Sequence, residues 1–138
     1  MDLKRITGFA LGLIATFMMW QSGIALAQYF HAYGWSQFTA LLFDPEYSLR
    51  LISAMAAFIA GLAALTERQG GAWLAGFASA LLLIQTLALA AGHGHVHNWQ
   101  NEAIYLSVMT CLFLALVVSN GRRAREAEIL KARDVAAV

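Results

Sequence analysis

Apolar residues run almost without interruption along this chain, and its few polar breaks divide it into four long segments. Between Ile6 and Phe43 there is no Asp, Glu, Lys or Arg. The first stretch, 6–30, is long enough to cross a hydrocarbon layer of about 30 Å at about 1.5 Å per helical residue. A second apolar run, Leu51 to Leu65, is short by itself, but a helix start lies upstream in Asp44-Pro45-Glu46-Tyr47. Asp44 suits an N-cap, Pro45 the first helical position, and Glu46 the acid of the first turn. The second span is therefore predicted at 45–66, with Arg50 about one turn inside and its head snorkelling to the interface. The third span is 72–91, ended by Gly92. The fourth is 103–119, opened by Asn101 as a cap and closed by Asn120-Gly121. No segment alternates in polarity as a strand does. The pattern predicts an all-α fold, a four-helix transmembrane bundle over residues 1–121, with residues 122–138 as a polar cytoplasmic tail, helical or disordered.

Two finer patterns sharpen this. Between the first two spans, Trp35, Phe38, Leu41 and Leu42 fall at i, i+3, i+6 and i+7, the spacing of a short helix lying in the membrane interface. Within the spans, small residues recur every fourth position: Gly8/Gly12, Ser53/Ala57/Gly61 and Ala72/Gly76/Ala80. Lipid tails are as apolar as leucine, so helices in a bilayer associate through close backbone approach, which small residues permit. Such faces predict contacts within the bundle, with a membrane-protein partner, or with a second copy. The short link 67–71 makes the second and third spans antiparallel neighbours.

Composition agrees. Of the 138 residues 60% are hydrophobic and 12% charged, where a soluble domain carries about 25% charged residues. The net charge of +1 gives no basic stripe for a nucleic acid. Cys111 stands alone in an apolar run, which excludes an internal disulfide and predicts a buried, inert thiol. Eight of the nine lysines and arginines lie before the first span, at Arg68, or after the fourth. Positive residues stay inside, so both termini are predicted in the cytoplasm of a bacterial inner membrane, with the link 92–102 facing outward. Lys4-Arg5, an apolar stretch and Ala25-Leu26-Ala27 also resemble a signal peptide with its cleavage site, although the run exceeds the usual 7–15 residues.

The chemistry gathers on the outward side. His93, His95 and His97 occur in Gly92-His93-Gly94-His95-Val96-His97, and His31 ends the first span. Three readings stay open. Histidines at helix C-termini, with Asp44, Glu46 and Glu102 at N-termini, complement helix dipoles with no further role. In an extended segment the three alternate histidines point to one side, and with His31 or Glu102 they would suit copper or zinc. One histidine near neutrality could instead serve proton or quinone chemistry. Inside the spans Gln21, Gln28 and Gln85 are costly in hydrocarbon. They serve as interhelical glue or as contacts to a quinone carbonyl. Apart from Glu46 in the first turn of the second span, no acid falls within the four predicted spans, which argues against a proton-driven transporter.

An apolar first span followed by a short interfacial helix is one familiar layout. So is a small-residue second span closing at Leu65-Thr66-Glu67-Arg68, with a histidine-bearing exit from the third. Trp99-Gln100-Asn101 then precedes an aliphatic fourth span that stops at a glycine and arginines. Over about residues 6–123 this resembles the DoxX-like group of small four-helix membrane proteins. The chain departs from that group near His31, where a basic residue is usual, and around Ala56-Ala57, where an acid is often found. The resemblance implies association with redox or quinone-linked membrane enzymes, sometimes as an accessory subunit, and transfers no catalytic residue. The leading expectation is a non-catalytic accessory or assembly subunit of an electron-transfer complex. The alternatives are metal handling through His31, His93, His95, His97 and Glu102, and a quinone-reactive subunit using Gln21, Gln28 and Gln85.

Overall fold

The computed structural model describes residues 2–68, 70–92 and 96–138, and for 96–99 the backbone alone. Among the described residues five helices follow one another: α1 (Leu3–Tyr33), α2 (Trp35–Leu42), α3 (Pro45–Leu65), α4 (Gly71–Ala91) and α5 (Val96–Ala136). No strand occurs among the described residues. All but α2 are long and apolar enough to cross a membrane. The four long helices pack in a ring, α1 on α3, α3 on α4, α4 on α5, and α5 back on α1.

The interior is built largely from small side chains. Ala54, Ala57, Ala60 and Ala64 of α3, Ala75 and Ala78 of α4, and Ala15 of α1 are fully buried, with Leu11, Met18, Leu82, Met109 and Leu116 filling between them. The bulky residues point the other way: Phe9, Phe17, Trp20, Ile59, Phe77 and Leu87 are exposed. A protein folding in water would reverse that arrangement, because burial of large apolar groups is what drives it. An apolar solvent removes that drive and leaves close packing as the main attraction.

Two of the predicted small-residue faces meet each other. A Cβ added to Gly61 would stand 2.8 Å from the Gly8 carbonyl oxygen and 2.9 Å from the Gly12 nitrogen, and one on Gly8 would stand 2.8 Å from Ala64 Cβ. Thus α1 and α3 touch backbone to backbone. The third face behaves differently. Gly76 turns to the Phe113 ring of α5, where a Cβ would come within 3.0 Å, and Ala80 is exposed. Instead α4 presents Gly71, Ala75, Ala78 and Leu82 inward. That stripe steps by four, three and four residues and so keeps to one face of a 3.6-residue helix, whereas a strict four-residue repeat drifts around it.

The helix ends follow from local chemistry. Asp44 caps α3, its Oδ1 accepting from the Glu46 N–H at 3.1 Å, and Pro45 takes the first position. Gly34 separates α1 from α2 at φ +73°, a conformation that side-chain-bearing residues adopt at a penalty. Phe30, Trp35 and Phe38 then stack edge to face at 5.2–5.8 Å, folding α2 against the end of α1. At the far end of α3 the N–H of Arg68 reaches the Ala63 carbonyl at 2.9 Å and that of Glu67 reaches Ala64 at 3.3 Å. This is a Schellman closure, with Glu67 at φ 61° where glycine is usual.

Three expectations need correction. Asn120-Gly121 does not end the fourth long helix, which runs on to Ala136. One glycine costs about 1 kcal/mol relative to alanine, and the following Ala, Arg, Glu, Leu and Lys residues favour helix strongly enough to continue. Nor does Asn101 open that helix, which begins at Val96 and leaves Asn101 more than a turn inside. Cys111 is exposed on the outer face of α5, because the inward face passes through Glu102, Met109 and Leu116.

Candidate functional site

At the end of the helix ring that carries α2, polar side chains from all four long helices converge. Arg50 does not snorkel outward. It turns between the helices and pairs with Glu102, Nη1 to Oε1 at 3.1 Å, the two side chains 24% and 5% exposed. Its Nη2 donates to Gln21 Oε1 at 3.0 Å. The Tyr105 hydroxyl donates to the same oxygen at 2.7 Å, and the guanidinium lies over the Tyr105 ring, 5.7 Å from its centre. One turn earlier, the Tyr47 hydroxyl donates to the Ser22 carbonyl at 2.9 Å. Side chains of α1, α3 and α5 are thus tied through one arginine.

The sequence places these residues by simple periodicity. Arg50 precedes Ser53, Ala54, Ala57 and Gly61 at i+3, i+4, i+7 and i+11, so it continues the buried stripe of α3 by one turn. Glu102, Met109 and Leu116 repeat every seventh position and share one face of α5. An ionised side chain enclosed between helices without a counter-charge is costly. Each of these charges is acceptable because the other meets it. Extending the alanine stripe back by one turn is the signal that finds Arg50, and the heptad read backward from Leu116 finds Glu102. One acid, Glu102, is therefore enclosed between the helices, contrary to the expectation that none would be buried.

Beside the pair is a cavity of about 390 Å³ lined by Leu41, Asp44, Glu46, Tyr47, Arg50, Gln85, Leu89, Asn101 and Glu102. Gln85, contributed by α4, is buried. Four buried polar atoms find no partner among the described residues: Arg50 Nε, Glu102 Oε2, Gln85 Oε1 and Ser22 Oγ. Leaving such a group unsatisfied costs about 1–3 kcal/mol, more when it is charged. Arg50, Gln85 and Glu102 line the cavity while Ser22 does not, and their unpartnered atoms are turned away from its open space.

The site residues expected from sequence divide between this place and others. Gln21, Gln85 and Glu102 come together here, whereas Gln28 is exposed nearly two turns beyond Gln21 on α1. His31 is exposed at the end of α1, with its ring edge-on to Phe30 at 6.5 Å. His93 and His95 lie outside the described residues, as does the side chain of His97. Among the described residues no three of His, Cys, Asp and Glu are grouped as a metal would require. Arg50, Tyr47 and Tyr105 are the site residues that sequence reasoning missed.

A second set of charges closes the opposite end. Arg5 meets Glu67 at 3.2 Å, and Arg123 meets Asp2 at 2.7 Å and Glu67 at 3.5 Å. The buried Lys4 donates to the Glu67 carbonyl at 3.4 Å. These pairs are largely open to solvent. No family model, curated protein or solved structure matches the chain.

Proposed function

We propose that this protein spans the bacterial inner membrane as a four-helix bundle with both termini in the cytoplasm. In this reading it serves as a non-catalytic accessory or assembly subunit of an electron-transfer complex. The observation that carries the reading is how the intramembrane polar groups are used. Arg50, Glu102, Gln21 and Tyr105 are engaged with one another, as a scaffold requires, while bulky apolar side chains cover the outside. The positive-inside bias supports the orientation, since Lys4, Arg5, Arg68 and Arg123 share the end opposite α2. The DoxX-like resemblance supplies the link to redox enzymes. Purification in mild detergent tests the proposal: a larger complex containing a redox-active partner is expected, and a protein migrating alone would overturn it.

The cavity favours a second reading, a quinone-reactive subunit. Its wall sets Gln85 and Arg50 beside apolar Leu41 and Leu89, a combination that would hold a polar ring with an apolar tail. Solvent extraction of the purified protein should then release quinone in near-stoichiometric amount, and a Gln85→Leu variant should carry less. Quinone at trace levels in both would remove this reading.

A further inference from the structure

We propose that the cavity at the α2 end binds a primary ammonium group, carried by a small amine or by a lipid headgroup. The inference rests on the cavity's own chemistry and stands whether or not the chain is an accessory subunit. Three carboxylates, Asp44, Glu46 and Glu102, face one cation, Arg50, so the lining carries a formal excess of two negative charges (three minus one). That balance disfavours an anion. Behind its surface, on residues each 4% exposed, Glu102 Oε2 and Gln85 Oε1 are acceptors without donors among the described residues. Arg50 does not satisfy them from within the chain, because its terminal nitrogens are engaged by Glu102 Oε1 and Gln21.

What fits is a cation that brings its own N–H donors. An alkylammonium supplies three rotatable donors and one positive charge. Two of those donors would meet the buried acceptors once the Glu102 carboxylate and the Gln85 amide turn toward the cavity, and the carbon chain would lie against Leu41 and Leu89. A divalent metal fits less well. Calcium takes six to eight oxygens, while Asp44 Oδ1 already accepts from the Glu46 N–H and Glu102 Oε1 from Arg50. The cavity volume of about 390 Å³ lies at the small end of ligand pockets, the right scale for a molecule of a few heavy atoms.

Calorimetric titration of the full-length protein in phosphatidylcholine nanodiscs tests this. Ethanolamine should bind saturably. Ethylene glycol, which lacks the charge, and choline, which lacks the N–H donors, should bind at least about tenfold more weakly, the loss of one charged hydrogen bond. Gln85→Leu should weaken ethanolamine by about tenfold while unfolding as the wild type does. Glu46→Gln, at the exposed rim, should weaken it by about two- to threefold and serves as the second variant if Gln85→Leu does not fold. Phosphatidylethanolamine discs separate the two sources. A headgroup occupant predicts that these discs suppress the ethanolamine titration in the wild type, and a free amine predicts an unchanged titration. The assignment is overturned by an absence of saturable binding, by glycol or magnesium binding as tightly as ethanolamine, or by both variants binding like the wild type.

Discussion

The two ends of this protein hold their helices together by opposite means. At the α2 end, one arginine and one glutamate sit between helices, and Glu102 is almost wholly enclosed. At the other end, Arg5, Glu67, Arg123 and Asp2 make more ion pairs, but these stand in the open. The attachment there comes instead from Gly8 and Gly61, where α1 and α3 backbones meet. Counting charges would rank the ends wrongly. Exposed pairs are screened and contribute about 0–1 kcal/mol, whereas removing one member of a buried pair strands the other and costs about 3–5 kcal/mol.

Substitutions at the two ends should reproduce that ranking. Glu102→Ala is expected to be the most damaging, lowering stability by about 3–5 kcal/mol in a reversible detergent or bicelle unfolding assay. Its loss should fall sharply when Arg50→Met is added, since the stranded guanidinium is then gone; a double variant no more stable than the single would show that the loss does not come from a stranded charge. At the opposite end the glycine crossing should matter next. Gly61→Ala pushes a methyl into the backbone of α1, so the helices must part, at about 1–3 kcal/mol. Arg123→Ala should do least, below about 1 kcal/mol, and its effect should vanish at high salt. If Arg123→Ala outweighed Gly61→Ala, the contrast between the ends would be wrong.

Glu67 sharpens the same contrast. It adopts the left-handed conformation at φ 61°, which costs a side-chain-bearing residue roughly 1–2 kcal/mol. Its carboxylate meanwhile meets Arg5 and Arg123. Glu67→Gly should relieve the backbone and lose the pairs, leaving stability unchanged or slightly raised. Glu67→Ala keeps the strained conformation and should be the less stable of the two.

Much of the architecture was legible in the sequence because it depends on local rules. Asp44-Pro45 announces a helix start in any setting, and the small-residue faces on α1 and α3 mark where a backbone can approach closely. The spacing of Trp35, Phe38, Leu41 and Leu42 gives α2 in the same way. The site was harder, because a lone Arg50 near a helix end has two outcomes that cost little, outward to headgroups or inward to an acid. Choosing between them requires knowing that Glu102 of another helix stands opposite, a fact of tertiary packing. The stop at Asn120-Gly121 failed for a related reason. Such signals bias a helix by about 1 kcal/mol, and the following residues, with Arg122/Glu126 and Arg125/Glu128 at helical spacing, outweigh it.

The 41 residues of α5 form one unbroken helix, about 60 Å long at about 1.5 Å per residue. A hydrocarbon layer takes up about 30 Å of that. The remainder is a stiff lever with Glu102 near its short arm and Arg133 about 46 Å away. The helix thus carries Arg133 about 26 Å past Leu116, a fully buried residue of the bundle, with no break in the backbone between them.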